Sequence, residues 1–356
     1  MSEESDLTPL MQLEGLEVHF TGARRRNGQR QVVRAVDGVS FDVHRGRTLG
    51  IVGESGSGKS TLGRAIVGAY PHTGGILRFK GEDVAELSKP GLRRWNKATQ
   101  MIFQDPFDAL NSRMRIGTSI AEPLVAHRVG DRTSRRERVL ELLDLVGLEA
   151  DVVDRYPHEF SGGQLQRVVI ARAITINPEL IVCDEPTSAL DVSTQAVIVN
   201  LLKRLQAELG LTYIFISHDL GVVRQVADEV AVLYGGALAE VAPADELFRR
   251  PLHPYTAGLM SAVPGEATDA DEHRQRLILE GEAHDPATKV PGCRFAPRCP
   301  FATDRCREQD PPLSPALERR QVACHHWETL VAEGALDVLG HGHSVGEPDI
   351  EVGGPR

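Results

Sequence analysis

Gly53-Glu54-Ser55-Gly56-Ser57-Gly58-Lys59-Ser60-Thr61 is the stretch on which the rest of the chain is organised. The apolar residues 49–52 before it indicate a short buried strand, and residues 62–67 after it can continue as a helix. Glycines let backbone N–H groups turn toward phosphate oxygens, and the helix N-terminus adds partial positive charge. Lys59 would reach the β- and γ-phosphates, and the Ser60 hydroxyl would ligate Mg²⁺. The stretch therefore predicts a nucleoside triphosphate site.

The composition is that of an ordinary soluble globular protein. The 356 residues are 41% hydrophobic and 25% charged, which fits one large and one small domain. A net charge of −10 argues against a nucleic-acid partner bound through its phosphates. No apolar run is long enough to span a bilayer, and the acidic N-terminus is unlike a signal peptide. We therefore expect a cytoplasmic protein that acts at a membrane only through a partner.

Hydrophobic patterning predicts an α/β fold. Residues 180–183 and 213–216 are near-continuous apolar runs, which is typical of strands buried on both faces of a parallel sheet. The pattern between about residues 105 and 175 is mainly helical, and Ser134 with Glu137 reads as the capping box of one helix. Residues 13–20 alternate as a half-exposed strand. These patterns predict a sheet of parallel strands with a helical insert.

Two adjacent carboxylates, Asp184 and Glu185, end the buried strand that contains Cys183. Side chains alternate along a strand, so the two acids are expected to point in different directions. Asp184 can hold the Mg²⁺ shell while Glu185 faces the γ-phosphate and polarises a water molecule. Cys183 is interpreted as a small buried hydrophobic residue.

A second glycine-rich loop, Phe160-Ser161-Gly162-Gly163-Gln164, opens a helix. Small residues at a helix N-terminus build a second anion site. One triphosphate does not need two phosphate-binding loops from the same subunit. The second loop is therefore expected to act on the nucleotide of a neighbouring subunit. The alternative is a glycine-rich turn before an ordinary helix.

These motifs, with Gln104 and His218, resemble in kind and order those of an ABC transporter ATPase. The correspondence runs through the Walker A loop, Q-loop, signature, Walker B, D-loop and H-switch, the D-loop being Ser188, Ala189, Leu190 and Asp191. Six motifs in order make the resemblance specific. Residues 156–164 and 251–256 are similar to the oligopeptide/dipeptide importer branch.

The resemblance implies a role for each matching residue. Phe20 would stack on adenine, Gln104 would ligate Mg²⁺ in a loop that touches the permease, and His218 would contact the γ-phosphate. Ser161, Gly162, Gly163 and Gln164 would clamp the partner's γ-phosphate across a head-to-tail dimer. The expected catalytic set is Glu185, His218, Gln104 and Lys59, with Mg²⁺ on Ser60, Gln104 and Asp184.

The resemblance also implies a domain organisation. The fold would be an α/β P-loop cassette with an α/β core, an antiparallel β subdomain and a helical subdomain, followed by a small Cys-rich domain. We expect an N-terminal extension over residues 1–12, the cassette over 13–250 with its helical subdomain at about 105–175, and the C-terminal oligopeptide-transporter-type domain over 251–330. Residues 331–356 are expected to be a disordered tail.

The function implied is that of an ATPase subunit powering a binding-protein-dependent importer, with di- and oligopeptides as the default cargo. Its partners would be a second ATPase subunit, forming a heterodimer, two membrane-spanning permeases and an extracytoplasmic solute-binding protein, with no nucleic acid. The subunit would lie on the cytoplasmic face of the membrane, held by the permeases. The alternative function is a soluble ABC ATPase that couples ATP to nucleic-acid or ribosome work.

Four cysteines cluster near the C-terminus, at Cys293, Cys299, Cys306 and Cys324. Four thiolates suit a tetrahedral zinc or an iron–sulfur cluster. Their spacings are wider than the paired C-x₂-C of common zinc ribbons, and some members of the importer branch carry a four-iron cluster in this region. A [4Fe-4S] cluster is therefore predicted, with zinc and metal-free cysteines as alternatives. The separation in sequence from Lys59, Glu185 and His218 predicts no direct part in hydrolysis.

Overall fold

The computed structural model of the protein describes residues 9–24, 30–261, 277, 279, 281 and 284–336. Its smaller sheet is antiparallel and lies at the N-terminal end of the chain. It contains the strands β1 (Met11–Arg24), β2 (Arg30–Val43), β4 (Gly74–Phe79) and β5 (Glu82–Asp83), in the spatial order β2-β1-β4-β5. This sheet is the antiparallel β subdomain that the sequence predicted.

The larger sheet is built around parallel strands. Its members are β3 (Thr48–Val52), β6 (Thr99–Ile102), β7 (Leu180–Asp184), β8 (Thr212–Ile216), β9 (Glu229–Tyr234), β10 (Ala237–Pro243), β11 (Ser314–Leu317) and β12 (Arg320–Val322). The spatial order is β11-β12-β10-β9-β3-β8-β7-β6, and the five strands from β9 to β6 are parallel. Every residue of β3, β7 and β8 is buried, which confirms the strands predicted from the apolar runs.

Helices cover the two faces of the larger sheet. They are α1 (Lys59–Ile66), α2 (Lys89–Ala98), α3 (Pro106–Ala109), α4 (Ile116–Ala126), α5 (Arg132–Leu145), α6 (Gly162–Ile174), α7 (Val192–Leu209), α8 (Leu220–Val226), α9 (Ala244–Arg249), α10 (Pro254–Ser261), α11 (Asp304–Glu308) and α12 (Trp327–Ala332). Short 3₁₀ turns lie at Val84–Glu86, Ala150–Asp154, Pro157–Glu159 and Ala296–Arg298. Within the described ranges, none of these helices has both the length and the apolar character needed to cross a bilayer.

Helices α3 to α6 fall in the segment predicted to be helical, but one of them starts earlier than predicted. Asp131 is the N-cap of α5, because its Oδ1 accepts a hydrogen bond of 2.9 Å from Ser134 N. A reciprocal hydrogen bond runs from Asp131 N to the Ser134 hydroxyl, at 2.9 Å. The predicted box of Ser134 with Glu137 is therefore wrong by one turn, since Ser134 occupies the third helical position rather than the cap.

The larger sheet separates two hydrophobic cores. Along β7, Ile181 and Cys183 face a core shared with α5, α6 and α7, whereas Leu180 and Val182 face a core shared with α1 and the smaller sheet. This alternation is the period of two expected of a strand. Cys183 is completely buried, which agrees with its interpretation as a small hydrophobic residue.

The cysteine-rich segment predicted as a small separate domain shares the sheet and core of the cassette. Strand β12 pairs antiparallel with β10 at Glu240–Val322 and Val241–Gln321, which extends the larger sheet. Phe295 and Leu330 are buried in the same core as the helices of the cassette. Sharing this core gives a short, polar segment the burial that it is too small to provide alone. The larger sheet therefore continues across the predicted domain boundary at residue 251. The division into two domains at that residue stays a prediction.

At both ends, the described residues extend beyond the predicted limits. Leu10 and Met11 are fully buried, so part of the expected N-terminal extension belongs to the first strand and its core. At the other end, α12 and the following turn continue to Leu336, whose side chain is 3% exposed. The expectation of a disordered tail is therefore wrong for residues 331–336, because apolar side chains there pack on the core. The rest of that expectation, residues 337–356, lies outside the described residues, as do residues 1–8.

Candidate nucleotide site

The phosphate loop connects the end of β3 to the start of α1, as predicted. Gly53 and Gly58 have φ angles of 154° and 106°, which disfavour any side chain. A Cβ at Gly53 would lie 2.2 Å from Leu233 O, and one at Gly58 would lie 2.1 Å from Ala35 O. The two glycines therefore let the loop lie directly against the backbone of β9 and β2.

Lys59 begins α1 and lies inside the curve of the loop, with its side chain almost fully buried. Its Nζ donates to Gly53 O at 2.7 Å and to Glu54 O at 2.8 Å. Burial lowers the pKa of Lys59, while the carboxylates of Glu185, Asp184 and Glu54 act in the opposite direction. A polyanion bound in the loop would favour the charged ammonium further, so the position suits a phosphate-binding lysine.

Ser60 and Asp184 form the neighbouring oxygen pair. The Ser60 hydroxyl donates to Asp184 Oδ1 at 2.7 Å, although the two residues are far apart in the chain. Asp184 is 1% exposed, and burial raises its pKa against the lowering effect of the Ser60 hydrogen bond. A hydroxyl and a carboxylate side by side are the ligand types that Mg²⁺ takes in such sites, so these residues fit the predicted metal shell.

Glu185 lies between two other predicted site residues. Its Oε2 accepts a hydrogen bond of 3.0 Å from Gln104 Nε2 and is 3.1 Å from His218 Nδ1. These three residues follow β6, β7 and β8, so the carboxyl ends of adjacent parallel strands bring them together. A groove of about 760 Å³ opens at this edge, lined also by Arg64, Asp105 and Arg172.

The two adjacent acids do point in different directions, but not only because strand residues alternate. Glu185 has a φ of 48°, a left-handed conformation that is uncommon outside glycine. Strand β7 ends at Asp184, and the turn at Glu185 sends its carboxylate toward Gln104 and His218. Such strained positions cluster where function requires a fixed side-chain direction.

The signature loop lies at the N-terminus of α6, and its polar groups bond to each other. Ser161 N donates to Gln164 Oε1 at 3.0 Å, and Gln164 N donates to Ser161 Oγ at 3.4 Å. Both residues are exposed, and Gly162 and Gly163 are partly exposed. In the described part of the chain, no hydrogen bond joins this loop to the phosphate loop.

The D-loop residues lie beside the signature loop. A Cβ on Gly162 would meet Leu190 at 3.4 Å, and one on Gly163 would meet Thr194 at 2.5 Å. Asp191 caps α7 by accepting from Thr194 N at 2.9 Å, and hydrogen bonds from Ser193 and Thr194 lower its pKa to about 2. Ser188 Oγ donates to Glu185 O at 3.1 Å, which ties the D-loop to the carboxylate turn.

Phe20 lies on β1 with 40% of its surface exposed, and its ring meets the Tyr70 ring edge-on at 5.5 Å. The Tyr70 hydroxyl accepts from Arg64 Nη1 at 3.2 Å. The sequence did not single out Tyr70, since an isolated tyrosine after a helix carries no motif. An exposed ring backed by a second ring offers a flat face to a purine base.

The C-terminal segment reaches the phosphate loop, which the sequence did not predict. Arg298 donates to both Glu54 oxygens, at 2.6 and 2.9 Å, across 244 positions of chain. Glu54 N donates to the Tyr255 hydroxyl at 2.8 Å. These contacts join parts of the chain that are distant in sequence, and no local sequence signal could have revealed them. That the cysteines take no direct part in hydrolysis stays a prediction.

The four predicted cysteine ligands line one small apolar pocket together with Phe295 and Phe301. Burial raises the pKa of Cys299 to about 12 and that of Cys324 to about 11, and it raises that of Cys293. The thiols of Cys293, Cys299 and Cys324 are accordingly protonated at neutral pH. Within the described residues, no three His, Cys, Asp or Glu side chains are placed to hold one metal ion. The metal centre therefore remains a prediction.

Comparison with known proteins gives the same assignment over most of the chain. Residues 36–188 match the family described as ABC transporter, and residues 239–306 match the oligopeptide/dipeptide transporter C-terminal region. The oligopeptide transport ATP-binding protein AppF of Bacillus subtilis is 51% identical over 83% of this chain and 91% of its own length. The di/tripeptide transport ATP-binding protein DppF of Pseudomonas aeruginosa is 48% identical over 84% of this chain and 92% of its own.

Solved structures show the same fold. One is the dimeric post-hydrolysis state of an ATP-binding cassette bound to ADP and Pi, with a TM-score of 0.58 and 29% identity over 66% of this chain and 98% of that one. Another is cbiO1 from Clostridium perfringens, part of the ABC transporter complex cbiONQ, with a TM-score of 0.59 and 28% identity over 68% of this chain and 91% of that one. The protein therefore belongs to the ABC transporter family, as an ATP-binding cassette that carries the oligopeptide/dipeptide transporter C-terminal region.

Proposed function

We propose that this chain hydrolyses ATP to power a binding-protein-dependent importer of di- and oligopeptides. The observation that carries the proposal is the position of Glu185, held between Gln104 and His218 beside the Ser60–Asp184 pair. A carboxylate held in this way can take a proton from a water molecule that attacks a phosphoryl group. The ATPase activity itself follows from membership of the family.

Each site residue has a role that follows from its place. Lys59 and the loop amides bind the β- and γ-phosphates, and Phe20 stacks on the base. Ser60, Asp184 and Gln104 would hold Mg²⁺, and the ion would neutralise charge on the phosphate oxygens. Glu185 orients the attacking water and accepts its proton at a carboxylate oxygen, while His218 keeps the Glu185 side chain in place.

The signature loop acts on the nucleotide of a second subunit. It is exposed, its own hydrogen bonds are internal, and it packs beside the D-loop. The solved dimeric cassette is consistent with a site completed by two chains. The second subunit is a different ATPase of the same kind, so the assembly is a heterodimer in which each signature loop faces the partner's phosphate loop.

The permeases dock near Gln104, where Phe103 and Phe107 are 39% and 54% exposed. Apolar side chains in water beside the catalytic groove are suited to transmitting movement to a membrane-spanning partner. The subunit then lies on the cytoplasmic face of the membrane, with an extracytoplasmic binding protein presenting the cargo. Work on nucleic acid or ribosomes is the weaker alternative, since the chain carries a net charge of −10 and the relatives are named for peptide transport.

The cysteine pocket holds a [4Fe-4S] cluster with a mainly structural role. Four cysteines line one water-poor pocket, which is the ligand set that a cubane cluster takes. The zinc alternative would use the same four thiolates, and metal analysis of the purified protein distinguishes the two.

The importer proposal is tested by co-producing this chain with a partner ATPase and a permease pair, then reconstituting the complex in vesicles with the binding protein. We expect uptake of a labelled dipeptide that requires ATP, and ATP hydrolysis about tenfold faster than that of this chain alone. A chain that hydrolyses ATP equally fast alone would contradict the two-chain site. Stimulation by ribosomes or DNA, with none by the permeases, would support the alternative function.

A further inference from the structure

The C-terminal segment that carries the cysteines holds the phosphate loop at two points. Arg294 and Arg298 belong to this segment, and they are the immediate neighbours of Cys293 and Cys299 in the chain. Arg298 contacts Glu54, inside the loop, and Arg294 contacts the turn that follows β9. Neither arginine is among the residues to which the proposed mechanism gives a role.

The Arg298 contact is a two-pronged ion pair. Arg298 Nη1 is 2.6 Å from Glu54 Oε2, and Nη2 is 2.9 Å from Glu54 Oε1. The Arg298 side chain is 7% exposed and lies over the Tyr234 ring at 5.9 Å from its centroid. The hydrogen bonds that Arg298 donates to Glu54 raise the pKa of Arg298 further, so the guanidinium is permanently charged. Bidentate pairs shielded from water are among the stronger and more directional contacts in proteins.

The Arg294 contact reaches the loop in two steps. Arg294 Nη1 donates to Gly235 O at 2.6 Å, and the next residue, Gly236, donates through its N–H to Ser57 O at 3.0 Å. Arg294 Nη2 also donates to Asp37 Oδ2 at 2.7 Å, on the strand that lies against the other side of the loop. The loop is thus held near Glu54 and near Ser57, on the two sides of Gly56.

From this geometry we propose that Arg298 is a positioning residue of the nucleotide site. It draws the Glu54 carboxylate away from the space that the triphosphate occupies and cancels its charge. The fold of the cysteine segment thereby sets the affinity of the phosphate loop for nucleotide. This inference rests on the proposed ATPase function, because it concerns regulation of the same site.

The electrostatic reason is the proximity of Glu54 to a polyanion site. The Glu54 side chain is 28% exposed, and its carboxylate acts on Lys59, whose ammonium the triphosphate needs. Without a counter-charge, Glu54 would repel the phosphates and compete with them for Lys59. Cys299, which lines the cysteine pocket, follows Arg298 directly in the chain, so the fold of this segment fixes where the counter-charge lies.

The test is a set of four proteins in which MgATP affinity is measured by calorimetry: wild type, Arg298→Gln, Glu54→Gln and the double variant. We expect Arg298→Gln to weaken MgATP about tenfold when Glu54 is present. In the Glu54→Gln background, the same substitution should change affinity less than twofold, because no carboxylate is left to neutralise. Arg298→Lys keeps the positive charge but cannot donate the paired hydrogen bonds to both Glu54 oxygens. Its MgATP affinity should lie between those of wild type and Arg298→Gln.

Arg307→Gln is the matched control, since Arg307 belongs to the same segment but forms an exposed ion pair with Asp304. Its MgATP affinity should equal that of wild type, and thermal unfolding should show that every variant is folded. Equal losses from Arg298→Gln in both backgrounds would mean a general structural role and overturn the proposal, as would no loss in either. A wild-type protein that fails to bind MgATP would instead contradict the proposed function.

Discussion

The nucleotide site and the cysteine pocket differ in how their side chains are held. In the nucleotide site, the key groups bond to one another: Ser60 to Asp184 at 2.7 Å, and Gln104 and His218 to Glu185 at 3.0 and 3.1 Å. In the cysteine pocket, the sulfur contacts are longer and weaker, at 3.4 Å from His326 N to Cys324 and 3.5 Å between Thr303 and Cys306.

The difference indicates two ways of preparing a site. Polar groups that satisfy each other keep a catalytic arrangement in place before substrate arrives, which lowers the cost of reaching the transition state. Buried thiols gain little from one another, and they must lose protons before they bind metal. The nucleotide site is therefore organised by the protein's own polar groups, whereas the cysteine pocket would be organised by the cluster that we propose there.

The largest effect is expected from Glu185→Gln, which keeps the shape of the nucleotide site but removes its base. Turnover should fall about 10²- to 10³-fold, a typical contribution of general-base catalysis, while ATP still binds. Phosphate release and nucleotide affinity are measured on one preparation of the assembled complex. Glu179→Gln is the control, because Glu179 lies in surface ion pairs with Arg45 and Lys80. Near-normal turnover in Glu185→Gln would contradict the assignment of Glu185 as the general base.

The next largest effect is expected from Cys299→Ser, which tests whether the cysteine pocket is stabilised by the proposed [4Fe-4S] cluster. Protein purified without oxygen should contain about four irons per chain, and Cys299→Ser should lose them and unfold at a lower temperature. Iron binding should strengthen as pH rises, because burial raises the pKa values of Cys299 and Cys324 to about 12 and 11, so the competing protons leave only at high pH. Cys183→Ala, at the fifth cysteine, should keep its iron. One zinc per chain and no iron would contradict the proposed [4Fe-4S] cluster but leave the description of the fold unchanged.

The smallest effect is expected at the edge of the nucleotide site. Phe20→Ala should weaken ATP binding by about fivefold, which is the lower end of the about 1–3 kcal/mol that stacking of a base on an aromatic ring contributes, because the Phe20 ring is partly exposed. Affinity for inorganic triphosphate should not change, because that ligand has no base. Leu317→Ala, at a side chain of similar exposure on β11, serves as the control. Equal affinities for ATP in Phe20→Ala and wild type would contradict the proposal that Phe20 stacks on the base.

Much of the nucleotide site could be predicted from the sequence because its chemistry is local. A glycine loop between strand and helix, or two acids at a strand end, has a fixed geometry wherever it occurs. The parallel strands then bring Gln104, Glu185 and His218 to one edge of the sheet. That step needs only the rule that ligands bind at the carboxyl ends of such strands.

The contacts that were missed join parts of the chain that carry no shared pattern. Arg298 and Glu54 are each unremarkable in sequence, and only the packed fold makes them partners. The pairing of β12 with β10 is equally hidden, because a three-residue strand has no periodicity to detect. The start of α5 was misplaced for a different reason, since Asp131 and Ser134 are both good caps and the choice depends on the preceding turn.

The added strand β12 has a consequence for how the protein is made. Glu240 on β10 is completely buried, and Arg320 on β12 donates to it at 2.9 Å. A nascent chain that has reached only residue 250 therefore has a strand edge unpaired and a buried carboxylate without this guanidinium. Open strand edges promote association between chains, and domains fold as units during synthesis. The cassette can complete its larger sheet only after residues 314–322 have left the ribosome, so the β10 edge stays open until β12 is made.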